Sequence, residues 1–191
     1  MFRAWHATGP LTETLPRAER VMEEQFEIVD GDGRPAGLAP RSRAHAEGLW
    51  HRAVHVWLFD DAGRVLLQRR GPDKDVNPDR WDVSCGEHVK PGERYAEAAL
   101  RGLAEELGLD LDAGALVPLD GERAVAVDYP DLGLHDYERQ QAYRVVTAAP
   151  VRAEPAEIAE LRWLTPAELR AWLAAEPAAF TPGCRRDLAE L

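Results

Sequence analysis

The chain is short of cysteine, of long apolar runs and of positive charge, and each shortage removes a class of protein. Its two cysteines, Cys85 and Cys184, are too few and too far apart for a disulfide framework or a zinc ribbon. A reducing compartment fits that usage, and the expected location is the cytoplasm. No run of about 18 apolar residues occurs, so no spanning helix and no membrane partner are expected. The opening stretch, Met1–Arg20, has no apolar core of signal-peptide length. Acidic residues outnumber basic ones by 34 to 23, a formal net charge of −11. That balance argues against a nucleic-acid backbone as the main partner, yet leaves room for a small anionic substrate, which feels the local charge of its pocket. No internal repeat or low-complexity segment is visible.

What remains is an ordinary globular composition, 45% hydrophobic and 30% charged over 191 residues, enough for one domain with a buried core. Residues 1–24 read as a polar arm and residues 25–191 as a single domain. Asp30-Gly31-Asp32-Gly33 between two short extended runs predicts a tight hairpin. His51–Phe59 has apolar side chains on both alternating faces, Val54, Val56 and Leu58 against Ala53, Trp57 and Phe59, as a central strand does. Arg64–Arg70 returns as a second strand, a Pro-broken loop covers 71–80, and Trp81–Ser84 forms a brief strand. Further strands are expected at Leu116–Val127, Gln140–Val146 and from Ile158 to Leu164, with a turn-rich tip at Tyr129–Leu132. Thr165-Pro166-Ala167-Glu168 is a capping box with proline at the first helical position, and another short helix opens at Thr181-Pro182. The sum is an α/β/α sandwich around a mixed sheet.

Residues 86–110, GEHVKPGERYAEAALRGLAEELGLD, organise the rest. A Pro-Gly turn feeds a helix with Ala96, Ala99, Leu100, Leu103 and Leu107 on one face, ending at Gly108. Glu97, Arg101, Glu105 and Glu106 are assigned to the opposite face, with Glu97 and Glu105 both within reach of Arg101. Adjacent carboxylates repel unless a cation lies between them, and hard oxygen ligands suit Mg²⁺ or Mn²⁺.

Glu93, Arg101, Glu105, Glu106 and Gly108 resemble the Nudix box, G-x5-E-x7-R-E-U-x-E-E-x-G-U. By chance, five fixed positions at fixed spacing arise roughly once in 10⁶ starts. Two positions depart from the box: its first glycine is Glu87, and the glutamate after the arginine is Gly102. The resemblance implies a metal-dependent hydrolase that cleaves a small-molecule diphosphate by water attack at phosphorus. Glu105, Glu106, the Gly86 carbonyl and Glu138 would hold the metal, with Glu138 or Glu87 as general base. Glu93 would pair with Arg101 as scaffold, and Arg70 and Lys74 would bind the diphosphate, in a monomer or homodimer.

The longer stretch from His51 to His88 is similar to a subgroup related to type I isopentenyl diphosphate isomerases. That likeness implies a metal site at His45, His51, His88, Asp136 and Glu138, and a catalytic thiol at the position of Gly86. Cys85 falls one residue early, which in a strand means the opposite face. This offset and the acid pair favour hydrolysis here, with the isomerase as the alternative, ahead of a non-catalytic binding module and a purely structural domain.

Overall fold

The structure, a computed structural model, describes residues 23–190; most of the expected N-terminal arm lies outside the described residues. The strands are β1 (Gln25–Val29), β2 (Pro35–Pro40), β3 (His51–Phe59), β4 (Val65–Arg70), β5 (Trp81–Asp82), β6 (Cys85–His88), β7 (Val117–Tyr129), β8 (Leu134–Val146) and β9 (Ile158–Leu164). The helices are α1 (Arg41–Glu47), α2 (Tyr95–Leu107), α3 (Pro166–Ala175) and α4 (Pro182–Glu190). The strands form one mixed sheet around β3, which pairs with β1, β4 and β6 antiparallel and with β8 parallel.

The alternation on β3 sorts the core into two halves. Val54, Val56 and Leu58 meet Ala99, Leu103 and Leu107 of α2. Trp57 meets Leu169 of α3, Phe180 just before α4, and Cys184 of α4 from the other side. This is the α/β/α sandwich that the apolar pattern implies, because a strand buried on both faces needs a cover on each.

Local signals explain most boundaries. The Asp30 carboxylate accepts from the backbone N–H of Asp32 and of Arg34, both at 2.9 Å, which closes the β1–β2 turn. Helix α2 ends in an αL cap: Gly108, with a left-handed φ of 65°, donates its N–H to Ala104 O at 3.2 Å, and Leu109 N–H donates to Leu103 O at 3.0 Å. Helix α3 begins with the predicted capping box, the Thr165 hydroxyl accepting from Glu168 N–H at 3.2 Å.

Three expectations need correction. Helix α1 is additional; its seven residues are bracketed by Pro40 and Gly48 (φ 64°), a start and stop too closely spaced to show a period. Glu87, beyond the brief strand expected at Trp81–Ser84, stands on a strand of its own, β6. Helix α2 buries Ala98, Ala99, Gly102, Leu103, Glu106 and Leu107, so Glu106 belongs to the covered face, one turn beyond Gly102 and Leu103.

Candidate active site

Strand β6 carries two sets of side chains to opposite sides of the sheet. Cys85 and Glu87 turn toward α2, while Gly86 and His88 turn toward the ends of β3 and β8, as the two-residue period requires. The register places Val54 opposite Glu87, His55 opposite Gly86 and Ala53 opposite His88. Beside them, His51 of β3 lies opposite Glu138 of β8.

On the α2 side, Arg101 is the hub. It donates to Glu93 Oε1 at 3.0 Å, Glu87 Oε2 at 2.9 Å, Glu105 Oε2 at 3.3 Å and the His88 carbonyl at 2.8 Å. The expected Glu93–Arg101 pair is therefore present. Glu97 is not part of it: at the third helical position its carboxylate reaches back to Arg94 N–H at 2.8 Å. The two box carboxylates differ sharply, the Glu105 side chain being 57% exposed and Glu106 only 6% exposed. Burial, and then the nearby Glu87, push the Glu106 carboxyl up to about 7. Gln68 donates to its Oε2 at 3.2 Å.

The two departures from the box are packed against each other. A Cβ on Gly102 would lie 2.4 Å from Glu87 Cγ and 2.7 Å from Cys85 Sγ. Glu87 thus fills the space that a larger residue at 102 would need, and its carboxylate joins the helix acids from the strand. Cys85 is fully buried in this contact, and burial holds its thiol well above the usual range.

On the other side, His45 of α1, His51 of β3, His88 of β6 and Asp136 of β8 bring one donor atom each within 4.8 Å of one another. Nε2 of His45 and Nε2 of His51 lie 3.7 and 3.6 Å from Asp136 Oδ1. All three atoms are buried without a hydrogen-bond partner among the described residues, a costly arrangement unless something satisfies them. His51 Nδ1 donates to the Leu49 carbonyl at 2.9 Å, which leaves the Nε2 lone pair facing the cluster. Burial lowers His45 and His51 to about 4, so both rings are neutral donors near pH 7. His88 receives Arg41 Nη1 on its Nδ1 at 3.2 Å. It would ligate through Nε2 only after Arg41 swings onto Asp75, which its Nη2 already touches at 3.2 Å. The donor chemistry fits a divalent cation: three imidazoles and a carboxylate suit a transition ion better than Mg²⁺, which prefers oxygen.

Glu138 adjoins this cluster, with Oε1 3.7 Å from His88 Nε2. Burial, and then Asp136, raise its carboxyl well above the ordinary range. It lines a pocket of about 110 Å³ with His45, Gly86, His88, Arg70 and Asp136. Lys74, Arg101, Glu105 and Glu106 line a wider neighbouring cleft of about 770 Å³, which shares Gly86, Glu87 and His88 with the first or its rim. Arg70 belongs to both, its Nη1 3.4 Å from Asp82 Oδ2, and Lys74 is paired with Glu157. The expected site residues thus gather around β6, yet Glu138 is on the histidine side, apart from Glu105 and Glu106.

The structure adds residues that spacing did not reveal. His55, four residues after His51 and so on the same face of β3, lies against Asp187 of α4 and Gln140 of β8. Two-residue alternation from His51 would have found His55; nothing in the sequence pairs it with Asp187.

Residues 49–184 match the model of the NUDIX domain. The chain belongs to the Nudix family. Two relatives named "Isopentenyl-diphosphate Delta-isomerase" share much of its length. The one from Nocardia farcinica is 44% identical over 82% of this chain and 87% of the relative. The one from Burkholderia multivorans is 40% identical over 84% and 88%. The crystal structure of DR0079 from Deinococcus radiodurans superposes with a TM-score of 0.61 at 28% identity, covering 80% of this chain and 90% of that one. Among Nudix proteins the likeness is thus to the isomerase group, which shifts the balance away from the hydrolase expected from the acid pair. Among the described residues, no helix is long and apolar enough to cross a membrane.

Proposed function

We propose that this Nudix protein isomerises a short isoprenoid diphosphate, shifting its double bond without releasing phosphate. The observation that carries the reading is the His45, His51, His88 and Asp136 cluster, with three partnerless buried donors, beside the buried carboxyl of Glu138. The two relatives bearing the isomerase name support it. A divalent ion held by the cluster would supply positive charge next to Asp136 and Glu138 and fix their orientation.

The chain's own residues do the rest. Arg70 and Lys74, on the rim between the two clefts, bind the diphosphate, with Arg matching its oxygens as a fork and Lys as a point charge. Val76, Val125 and Val127 give the smaller pocket an apolar wall for a short hydrocarbon. Glu138, buried beside the cluster, donates to an alkene carbon. Glu105 and Glu106, with Glu87, would hold Mg²⁺ or Mn²⁺ on the α2 side, where it would supply positive charge for the diphosphate.

Diphosphate hydrolysis is the second reading, and one observation favours it: Gly86 stands where a thiol is expected, while Cys85 points into the α2 contact. Product analysis separates the two. Purified protein with Mn²⁺ or Mg²⁺ is given isopentenyl diphosphate, and products are followed by proton and phosphorus NMR. The double-bond isomer without free phosphate is expected; phosphate release without isomer replaces this reading by hydrolysis.

A further inference from the structure

The smaller pocket holds a second polar assembly beyond the metal cluster. Nδ1 of His55 is 2.7 Å from Oδ2 of Asp187. Asp187 is only 2% exposed, and although burial raises its carboxyl, His55, Arg123 and Arg186 bring it below the ordinary value. An ionised carboxylate at Nδ1 fixes a proton there and leaves Nε2 as the working end of the ring.

That end meets Gln140. The Gln140 Nε2 lies 2.9 Å from His55 Nε2 and 3.0 Å from Glu138 Oε2. Its Oε1 accepts from Arg123 Nε and Nη2 at 3.1 and 2.9 Å. Since arginine only donates, the amide is held with its NH₂ toward both His55 and Glu138. The carboxyl and the imidazole are therefore one amide apart.

Two glycines keep the ring edge open. A Cβ on Gly183 would lie 3.2 Å from His55 Cε1, and one on Gly86 3.6 Å from Cδ2. Neither glycine has the positive φ that would by itself call for glycine. Both line the pocket, as do His55, Glu138 and Gln140.

We propose that His55, oriented by Asp187, is the base that completes a proton shuttle with Glu138, at the place where the likeness to isomerases puts a thiol. This rests on the isomerase reading. Glu138 gives its proton to one alkene carbon, where a C–H bond forms with the π electrons. A C–H bond on the carbon next to the other alkene carbon breaks, its electrons become the new double bond, and its proton goes to His55 Nε2 as the Gln140 N–H turns from that lone pair onto the Glu138 carboxylate left behind. Nothing is oxidised or reduced. The imidazolium and the Glu138 carboxylate then exchange protons with water, which restores both.

The test compares wild type, His55→Gln and Asp187→Asn as full-length, Mn²⁺-loaded proteins on isopentenyl diphosphate. His55→Gln is expected to lower kcat by about 10²–10⁴-fold, the range for a lost general base, with KM within a few-fold. The charged groups facing the ring are Asp187 and Arg186 of α4, Glu138 of β8 and Asp82 of β5, with Arg123 of β7 behind Gln140. Burial lowers the His55 pKa, and the charge and hydrogen bond of Asp187, together with Glu138 and Asp82, more than offset it, for a net rise. Asp187→Asn is therefore expected to move the acid limb of the kcat profile, and the His55 NMR titration, to lower pH. A mere structural strut between α4 and the sheet would leave that limb in place. If His55→Gln fails to fold, the Asp187→Asn profile decides alone. A wild type that isomerises while His55→Gln keeps its kcat overturns the shuttle only; a wild type that forms no isomer overturns the isomerase reading and the shuttle with it.

Discussion

The two sides of strand β6 solve the same problem, buried charge, in opposite ways. Toward α2, Glu87, Glu93 and Glu105 all lean on Arg101, so each of these carboxylates has a partner within the fold. Toward the ends of β3 and β8, His45, His51 and Asp136 present atoms that no group among the described residues satisfies. A paired network holds its shape alone, whereas unpaired buried donors persist only when the surrounding fold enforces them and a ligand repays the cost. The contrast assigns scaffold and phosphate binding to the first side and carbon chemistry to the second.

The sharpest way to break the contrast is Asp136→Asn. It is expected to cost more than the 10–100-fold in metal affinity typical of an outer-shell loss, with a parallel fall in isomerisation, read by metal titration and product assay. Wild-type affinity in that variant would remove the histidine side from the account. On the α2 side, Glu106→Gln is expected to raise KM about 10-fold, the lower end for one charged contact, with kcat nearly unchanged. A collapse of kcat by about 10²–10⁴-fold would move the chemistry to the box.

The same variant has a pH signature in chelated protein. The Glu106 carboxyl rises from 4.5 to about 7 on folding, so its contribution is fully present below pH 4.5 and is lost as pH rises through 7. Denaturant titration should therefore find Glu106→Gln up to about 3 kcal/mol more stable than wild type near pH 8 and equal to it near pH 4. Equal stability at both pH values would mean that the folded protein does not disfavour the charge.

Smaller effects sharpen the packing side. Gly102→Ala should destabilise by about 1–3 kcal/mol through overpacking on Glu87 and Cys85, despite alanine's helix advantage of about 1 kcal/mol. Adding Glu87→Ala should recover part of the loss, and a fully additive pair would show that the two departures from the box are unrelated. Smallest of all, Cys85→Ala should leave isomerisation within a few-fold of wild type, because its thiol is buried against α2; an abolished rate would restore the thiol as catalyst.

How legible each side was follows from how local it is. Helix α2 and its end at Gly108 depend on spacings of a few residues, and periodicity shows these directly, while the Glu93–Arg101 pair followed from the likeness to the box. The face of Glu106 was misread because its charge suggested solvent, while the geometry gives it the same row as Ala99 and Leu103. The histidine cluster joins α1, β3, β6 and β8, whose meeting depends on sheet order. A family likeness could nominate His45, His51, His88 and Asp136, but local pattern alone could not. His55 and Asp187 are farther still, 132 positions apart, and α4 had to be placed before their contact could be seen. The balance between hydrolysis and isomerisation was drawn from the box, the most local signal, and the comparisons over most of the chain shifted it.

The central claim is that the histidine side of β6 is the metal centre. Crystals grown with Mn²⁺ and measured at the manganese edge test it directly, since anomalous scattering locates the ion without reference to activity. The account predicts a peak bounded by His45, His51, His88 and Asp136, with or without a second one near Glu106. A single peak against Glu87 and Glu106, and none among the histidines, would contradict it.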